Sequence, residues 1–298
     1  MTIHKPTKTY YNEIKDTTDS IITGNDHTEG VMKTFSSLEH IAARVRMMIL
    51  DEIYTARSGH PGGSLSIVEA LVYVYEHELR KGVDKFVLSK GHAAPALYAV
   101  LALKGYFPEE ELAHLRQSGS MLQGHPSIIT PGVDMCTGSL GQGLSAACGM
   151  ALGARYLKQD ANVYAIVGDG ECQEGQIWEA LHFAAHYHLS NLCVMIDWNG
   201  LQIEGKVDDV MNLRDMDKRV KDCGFNVITV DGHDFTELAG AFELFHSTAD
   251  RPTAIILKTV KGKGVSFMEN KAEWHGKAPD EEQYLQAVRE LKEVLDHE

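Results

Sequence analysis

The sequence predicts an α/β protein: a single doubly wound domain in which a mostly parallel sheet is flanked by helices. Two observations carry this prediction. Short, nearly all-apolar runs, such as residues 163–167 (VYAIV) and 192–196 (LCVMI), suit strands that are covered on both faces. Strands of this kind alternate with apolar residues at helical spacing, and the alternation continues along the 298 residues without a repeat or a linker.

The N-terminal part of the chain is expected to comprise an extension and a first helix. Residues 1–36 are polar and show little periodicity, so they are treated as an extension without assigned function, and residues 37–298 as the domain. Ser36 or Ser37 is expected to cap a helix that ends at Ser58-Gly59. The apolar face of this helix comprises Leu38, Ile41, Ala42, Val45, Met48, Ile49 and Ile53.

The remaining elements follow in order. An apolar helix is predicted at about residues 67–79, a strand that ends at Leu88, and a helix at about 94–103. A glycine-rich turn then leads into a helix of small residues, and after the strand at 163–167 residues 176–189 form a helix with one buried stripe. Beyond the strand at 192–196 we expect a loop and helix at 207–223, a strand at 226–230, a helix at 235–249, a strand at 253–260 and a terminal helix capped by Asp280.

The composition is that of an ordinary globular protein, with 44% hydrophobic and 23% charged residues. A formal net charge of −14, with scattered lysines and arginines, argues against nucleic acid or an anionic membrane as the main partner. No apolar run approaches the roughly 20 residues of a membrane span, and the polar N-terminus lacks a signal-peptide core, so we expect a cytoplasmic protein. Five cysteines without a CxxC pair predict buried, reduced thiols.

Two polar residues mark the carboxyl ends of neighbouring strands. Asp169 lies within Gly168-Asp169-Gly170, and Asn199 follows the strand at 192–196. Because a right-handed strand–helix–strand crossover opens both carboxyl ends on one edge of the sheet, we expect Asp169 and Asn199 to lie close together. Carboxylate and amide oxygens are ligands that Mg²⁺ or Ca²⁺ takes together with phosphate oxygens, and the flanking glycines suit an anion. The sequence therefore predicts a metal–diphosphate site; the alternative is an ordinary buried turn with Asn199 as a cap.

Four turns or loops each present a histidine. They are SGHPGGS with His60, SKGHA with His92, QGHPS with His125, and the glycine- and lysine-rich segment KGKGVSFMENKAEWHGKAP with His275. Imidazoles exchange protons near neutral pH, so these histidines are candidate site residues, although a solitary histidine is also commonly just a polar loop residue. The lysines near His275 could contact phosphate, but a solvated basic loop is the favoured interpretation of their charges.

Together these motifs resemble those of a known enzyme family. SGHPGGS, LSKGHAAPALYA, GHPS, TGSLGQGLSAACGMA, GDGECQEG, DWNGLQIEG, VDGHD and WHG occur in the order found in transketolases. The similarity extends from about Leu38 to His275 and so covers most of the chain. The sequence looks like the thiamine diphosphate-binding domain of a transketolase, an enzyme that moves a two-carbon ketol unit from a ketose or ketose phosphate to an aldose.

The resemblance implies a set of site residues. It implies that Mg²⁺, or Ca²⁺ or Mn²⁺ in its place, is held by Asp169, Asn199 and the backbone carbonyl of Leu201. It implies that the cofactor contacts Gly170, His92 and His275 at the diphosphate, Gly138 and Leu140 at the aminopyrimidine, Ile203 at the thiazolium ring, and Glu174, which also faces a partner subunit. The implied catalytic residues are His60 and His275 for substrate hydroxyls and proton transfer, His125 for the C1 hydroxyl, and His92 in the same channel.

The chain departs from single-chain transketolases. After His275 we expect only a terminal helix, without a second domain to bind the pyrimidine ring and supply the activating glutamate. The resemblance therefore implies the N-terminal subunit of a split enzyme, paired with a separate C-terminal subunit in an α₂β₂ assembly that acts on sugar phosphates or modified sugars. Ser139 and the GHPS segment differ from residues frequent in the family near the substrate, which leaves the donor and acceptor sugars open.

Three other functions are weighed against this one. The α subunit of a thiamine-dependent 2-oxo acid dehydrogenase also has a GDG…N signature, but the histidine motifs favour a transketolase. The same histidine motifs disfavour a fragment of a 1-deoxyxylulose-phosphate synthase. Against a non-catalytic cofactor-binding subunit stand the intact Asp169, Asn199 and four channel histidines.

Overall fold

The structure is a computed structural model that describes the backbone of residues 27–296 and the side chains of residues 37–295. The chain divides into two compact units, Met1–Ser37 and Leu38–Glu298, and the second unit contains the sheet. Within the described residues, no helix is both long enough and apolar enough to cross a membrane.

The strands of the second unit form two sheets. In chain order they are β1 (Lys85–Leu88), β2 (Val163–Gly168), β3 (Leu192–Trp198), β4 (Leu201–Gln202), β5 (Gly205–Lys206), β6 (Asn226–Asp231) and β7 (Thr253–Lys258). The main sheet has the order β1-β2-β3-β7-β6, and each of its strand pairs is parallel. β4 and β5 form a small antiparallel pair. The predicted fold class, an α/β domain with a mostly parallel sheet, is confirmed.

The α-helices alternate with these strands. They are α1 (His27–Ala56), α2 (Pro61–Leu65), α3 (Val68–Tyr73), α4 (Ala94–Leu103), α5 (Gln142–Tyr156), α6 (Gly175–His186), α7 (Val207–Met211), α8 (Met216–Asp222), α9 (Phe235–Ser247) and α10 (Glu281–Asp296). The predicted cap of the terminal helix is confirmed, because Asp280 Oδ1 accepts a hydrogen bond from the Gln283 N–H at 2.9 Å.

The predicted start of the first helix is wrong. The helix α1 begins at His27, so Ser36 and Ser37 lie inside it and neither is its N-cap. Serine is neutral to mildly unfavourable inside a helix and does not by itself end one, and residues 28–37 contain no proline. The polar composition of this stretch was therefore compatible with a helix.

Both faces of the main sheet are covered. On one face, β1, β2, β3 and β7 pack against α5, α6 and α8 through a cluster of apolar side chains, which on β2 and β3 comprises Val163, Ala165, Val167, Leu192, Val194 and Ile196. On the other face, the Tyr164 ring lies 6.1 Å from the Phe242 ring on α9. Burial of both faces explains why these strands are continuous apolar runs.

The parallel arrangement determines where the polar residues lie. In the β2–β3 pair, Gly168 is in register with Asp197, and the Asp169 N–H donates to the Asp197 carbonyl at 3.1 Å. The loops after β1, β2, β3 and β7 therefore all leave the same carboxyl edge of the sheet. This edge carries the candidate site.

A close contact between α5 and the loop after β1 gives a test of the packing. A Cβ atom at Gly143 would lie 2.6 Å from Ser89 Oγ and 2.7 Å from Ser89 Cα, whereas a Cβ atom at Gly149 would meet no described atom within 4 Å. We expect Gly143→Ala to lower the free energy of unfolding by about 1–3 kcal/mol because of overpacking. Gly149→Ala is the matched control, and we expect it to leave the free energy of unfolding unchanged or to raise it by up to about 1 kcal/mol. Urea denaturation of the two variants measures this, and equal effects would contradict the proposed contact.

Candidate active site

The loops at the carboxyl edge enclose a cavity of about 220 Å³. Its lining includes Gly63, Lys90, His92, Leu140, Asp169, Gly170, Glu171, Glu174, Asp197, Asn199, Leu201, Ile203, Lys261 and His275. A larger groove of about 350 Å³ lies beside Trp198 and α8, but none of the predicted site residues lines it. The cavity at the sheet edge is therefore the candidate site.

The three groups predicted to hold a metal ion lie on adjacent turns. Asp169 is 3% exposed, and its carboxylate accepts hydrogen bonds from the Gly170 N–H at 2.7 Å and the Gly200 N–H at 2.5 Å. Asn199 Oδ1 accepts from the Leu201 N–H at 3.1 Å, which fixes the direction of the side-chain amide. Burial, together with the nearby Asp197, raises the pKa of Asp169 to about 6.

The chemistry of this donor set fits a divalent cation bound with a diphosphate. The Leu201 carbonyl oxygen already accepts a hydrogen bond from the Lys261 ammonium at 3.1 Å, so it faces a place where positive charge is stabilised. Among the described residues, no group of three or more His, Cys, Asp or Glu side chains is arranged to hold a metal ion. One carboxylate and two neutral oxygens leave coordination positions that phosphate oxygens and water can fill.

Glycine provides the space for such an anion. A Cβ atom at Gly170 would lie 3.3 Å from Gln202 Cβ, and one at Gly63 would lie 3.2 Å from His92 Nε2 and 3.5 Å from Lys90 Nζ. Side chains at these two positions would therefore crowd the cavity. The glycines next to Asp169 and in SGHPGGS let the backbone border the cavity closely, as the sequence predicted for Gly170.

A buried ion pair lies beneath the cavity. Lys90 Nζ contacts Asp197 Oδ2 at 2.5 Å and donates to the Gly63 carbonyl at 2.8 Å, and the side chains of Lys90 and Asp197 are 2% and 0% exposed. Asp197 also accepts from Ser66 Oγ at 2.8 Å and Thr259 Oγ1 at 2.5 Å. Burial alone would raise the pKa of Asp197, but Lys90 and these hydrogen bonds outweigh it and hold the pKa below its ordinary value.

Two glutamates after β2 have different environments. Glu171 is buried and accepts from Ser89 Oγ at 2.5 Å, the Gly141 N–H at 2.8 Å and the Gly168 N–H at 2.9 Å. It therefore ties the loops before α5 and after β1 to the Asp169 turn. Glu174, the glutamate implied by the resemblance, borders the cavity but is exposed at the start of α6.

The four predicted histidines converge. The ring centroid of His60 lies 5.5 Å from that of His92, 5.5 Å from that of His275 and 6.4 Å from that of His125, and the His92 and His275 centroids are 5.0 Å apart. His92 and His275 line the cavity, while His60 and His125 extend the cluster beyond it. Loops that are distant along the chain thus bring four imidazoles together.

The environment of these histidines keeps them neutral. Burial, then the charge of Arg116, lowers the pKa of His60 to about 4, and burial followed by Lys261 lowers that of His275 to about 3. Burial also lowers the pKa of His92 far below its ordinary value, and partial burial with Arg116 lowers that of His125. The cluster therefore presents imidazoles, and not imidazolium ions, near neutral pH.

Lys261 connects the histidines to the turn that carries Leu201. Its ammonium lies 3.1 Å from His275 Nδ1 as well as 3.1 Å from the Leu201 carbonyl oxygen. Burial, and then the charge of Lys90, lowers the pKa of Lys261 to about 8, so the amine is still mostly protonated at neutral pH. An ammonium only donates, so His275 Nδ1 accepts and the ring proton lies on Nε2.

The remaining predicted residues lie on the rim. Leu140 and Ile203 line the cavity and are 38% and 66% exposed, so both present apolar surface to its opening. Gly138 lies next to His125, where a Cβ atom would be 3.4 Å from the imidazole Cγ. The structure therefore brings the predicted set to one edge of the sheet, with Gly138, His60 and His125 outside the cavity lining.

Several site residues were not predicted. They are Lys90, Asp197, Glu171 and Arg116. Lys261 was considered only as one of the loop lysines that could contact phosphate, and the favoured interpretation of a solvated loop is wrong for it, because it is 2% exposed. Asp197 is the penultimate residue of an apolar strand, so a charge within an apolar run was the signal available for it, whereas Lys90 in the motif SKGHA has no such signal. The partner of each charge is far away along the chain, and no local pattern identifies it.

Comparison with known proteins identifies the family of this domain. Residues 37–296 match the family described as transketolase, thiamine diphosphate binding domain. The fold and the match together define a thiamine diphosphate-binding domain. The chain belongs to the transketolase family.

Individual relatives are of two lengths. The chain is 43% identical over 264 residues to the 6-deoxy-6-sulfo-D-fructose transketolase subunit SqwG of Clostridium sp. (strain MSTE9), a match that covers 86% of this chain and 96% of that one. It is 40% identical over 268 residues to one subunit of the apulose-4-phosphate transketolase of Phocaeicola vulgatus, covering 87% and 95%. Both relatives are named as subunits.

The transketolase of Campylobacter jejuni represents the longer relatives. Its crystal structure superposes with a TM-score of 0.81 at 33% identity and covers 86% of this chain but only 42% of that one. The sequence-based assignment to a transketolase N-terminal subunit is confirmed, and the 2-oxo acid dehydrogenase alternative is not favoured. The roles of individual site residues stay predictions.

Proposed function

We propose that this chain is the thiamine diphosphate- and Mg²⁺-binding subunit of a two-chain transketolase. The observation that carries the proposal is that one cavity presents both the Asp169, Asn199 and Leu201 oxygens and the imidazoles of His92 and His275. The first set suits a metal–diphosphate pair, and the second suits the oxygens of a sugar.

Specific groups of the chain would hold the cofactor. Asp169, Asn199 and the Leu201 carbonyl would bind the metal ion, with Gly170, His92 and His275 at the diphosphate. The ammonium groups of Lys90 and Lys261 at the base of the cavity offset part of the diphosphate charge. Leu140, Gly138 and Ile203 provide apolar or close backbone contact for the rings, and Glu174 supports the rim. When bound, thiamine diphosphate supplies a nucleophilic carbon that makes and breaks bonds next to a sugar carbonyl.

The neutral histidines act on the sugar. Partial burial lowers the pKa values of His60, His92 and His275, so they meet hydroxyl and carbonyl oxygens as uncharged hydrogen-bonding groups. His125, which is more exposed, is assigned to the hydroxyl at C1 of the sugar. These four residues form hydrogen bonds to the sugar oxygens at which protons are exchanged.

A separate C-terminal subunit would complete the enzyme. The length match to two proteins named as transketolase subunits, and the coverage of only 42% of a longer transketolase, support a partner chain that supplies the pyrimidine-binding domain and activating glutamate. We propose an α₂β₂ assembly. A cytoplasmic location is supported by the five cysteines, which are all free thiols.

The donor is proposed to be a ketose with an anionic group, either a phosphate or a sulfonate. The relatives are named for 6-deoxy-6-sulfo-D-fructose and apulose 4-phosphate, which carry one such group each. The pentose phosphates of the pentose phosphate pathway belong to the same chemical class. A panel of these donors with glyceraldehyde 3-phosphate as acceptor distinguishes among them.

The decisive experiment mixes this chain with a candidate C-terminal transketolase subunit. Isothermal titration of thiamine diphosphate with Mg²⁺ into the chain alone and into the mixture gives affinity, and a ketol-transfer assay gives turnover. Tight binding and turnover in the mixture support the proposal. Full turnover by the chain alone would show that the activating acid lies within these residues, and absence of binding in both samples would overturn the cofactor assignment.

Substitution of His275 tests the role of the histidines. We expect His275→Ala to lower kcat of the assembled enzyme roughly 10- to 100-fold, at the lower end of acid–base contributions because His60 lies nearby in the same cluster. His182→Ala is the control, since its Nδ1 lies 2.7 Å from the Trp178 carbonyl oxygen on α6, outside the cavity. Unchanged kcat in His275→Ala would remove His275 from the catalytic residues.

A further inference from the structure

The guanidinium of Arg116 contacts one of the channel histidines. Its Nη1 donates to Ser58 Oγ at 2.8 Å, and its Nη2 lies 3.3 Å from His60 Nδ1. A guanidinium has only donors and stays protonated, so His60 Nδ1 must be the acceptor. The proton of the neutral ring is then on Nε2.

The loops around Arg116 fix its orientation. Arg116 adopts a φ of 58°, in the left-handed region, and its N–H donates to the Leu122 carbonyl at 2.7 Å. A Cβ atom at Gly124 would lie 2.9 Å from Nη2, so the glycine that precedes His125 is needed to seat the guanidinium. The SGHPG and QGHPS motifs thus supply Ser58 and Gly124 to the same side chain.

The charges around His60 act in the same direction as this hydrogen bond. The groups that face His60 are Arg116, Lys261, His92, His125 and His275. The two that carry full charge, Arg116 and Lys261, are cations, and both oppose protonation of the ring. On its other side, His60 Nε2 faces Gly276, where a Cβ atom would lie 3.6 Å away.

We propose that Arg116 is a positioning residue that holds His60 as a neutral imidazole protonated on Nε2, so that His60 donates a hydrogen bond to a sugar oxygen instead of accepting a proton. The role of His60 in the channel rests on the proposed function, but the state of its ring does not. A neutral N–H donor stabilises negative charge that develops on an oxygen without adding a full positive charge to the site. Lys261 and His275 show the same arrangement, with a cation on Nδ1.

The ring state can be measured directly. The full chain is labelled with ¹⁵N-histidine, and the His60 signal among the 15 histidines is identified by its absence in His60→Gln. Long-range ¹H–¹⁵N correlation spectra should show His60 protonated on Nε2 and neutral from pH 8 down to pH 5. A His60 ring that is protonated on Nδ1, or charged at pH 6, would overturn the proposal.

Three variants separate the hydrogen bond from the charge. Arg116→Met removes both, so we expect mixed tautomers and a pKa of His60 that rises from about 4 toward 6.5. Arg116→Gln keeps a donor without the charge, so the tautomer should persist while the pKa rises. Arg116→Lys keeps both and should restore the wild-type spectrum. If the His60 signals of all three variants match the wild type, Arg116 has no positioning role.

Kinetics of the assembled enzyme distinguish this proposal from the proposed function. We expect Arg116→Met to lower kcat about tenfold at pH 7, with Arg116→Lys within about twofold of the wild type. Arg44→Met is the control, because Arg44 bonds Glu109 at 2.8 Å away from the histidines. A changed His60 spectrum with unchanged kcat would sustain the positioning role of Arg116 and contradict the catalytic role of His60.

Discussion

Asp169→Ala is expected to weaken the binding of thiamine diphosphate with Mg²⁺ by roughly 10³-fold, or about 4 kcal/mol. Asp169 is the one carboxylate in the predicted metal-binding set, whose other oxygens, from Asn199 and Leu201, are neutral. Without this carboxylate, the remaining ligands carry no negative charge to offset the positive charge of the metal ion. Isothermal titration into the mixture of both subunits measures the loss.

A matched variant controls for the structural role of a buried aspartate. Asp84 is 3% exposed, as is Asp169, and it accepts backbone N–H bonds from Arg80 and Asn162 at 2.8 Å each. It lies at the opposite end of the sheet, before β1. Asp84→Ala should lower the free energy of unfolding, because the ion pair with Arg80 is lost, but bind the cofactor normally. Retained binding in Asp169→Ala, or an equal loss of binding in both variants, would refute the metal assignment.

Lys90→Met is expected to lower the free energy of unfolding by about 3–5 kcal/mol, because it leaves the charge of Asp197 buried without its cation. Asp197 is fully buried, and the Ser66 and Thr259 hydroxyls do not neutralise it. Urea denaturation of the chain without cofactor measures the effect. Cofactor binding should weaken as well, since Lys90 borders the cavity.

Two further variants test this explanation. Lys104→Met breaks an ion pair to Glu76 of 3.0 Å between partly exposed side chains, and it should cost less than about 1 kcal/mol. In the double variant Lys90→Met/Asp197→Asn, part of the lost stability should return, because the uncompensated buried charge is removed. The Thr259 hydroxyl, which donates to Asp197, can turn to accept a hydrogen bond from the new amide. A double variant less stable than Lys90→Met alone would show that the uncompensated charge is not the cause.

The sequence by itself determined the fold class and the position of the candidate site. Apolar runs such as 163–167 predict buried strands because a strand covered on both faces has no solvated side, and the structure confirms them. Asp169 and Asn199 meet because a parallel crossover opens both strands on one edge. The order of the motifs was also enough to predict the family, which the match to residues 37–296 confirms.

The charged partners at the site were decided by information that local patterns do not contain. Lys90 and Asp197 are 107 residues apart, and Arg116 and His60 are 56 apart. Their pairing follows from which loops leave the same sheet edge and from the free energy of burying a charge, which is tolerable only beside an opposite charge or a hydrogen-bond partner.

The protonation of the histidines has the same origin. The sequence placed His60, His92, His125 and His275 in turns, but their low pKa values come from burial and from Arg116 and Lys261, which reach them through space. Residue type and spacing therefore fixed which groups are present at the site. Only the tertiary structure decided their charge and hydrogen-bonding direction, because electric fields and desolvation depend on distance in space and not on separation along the chain.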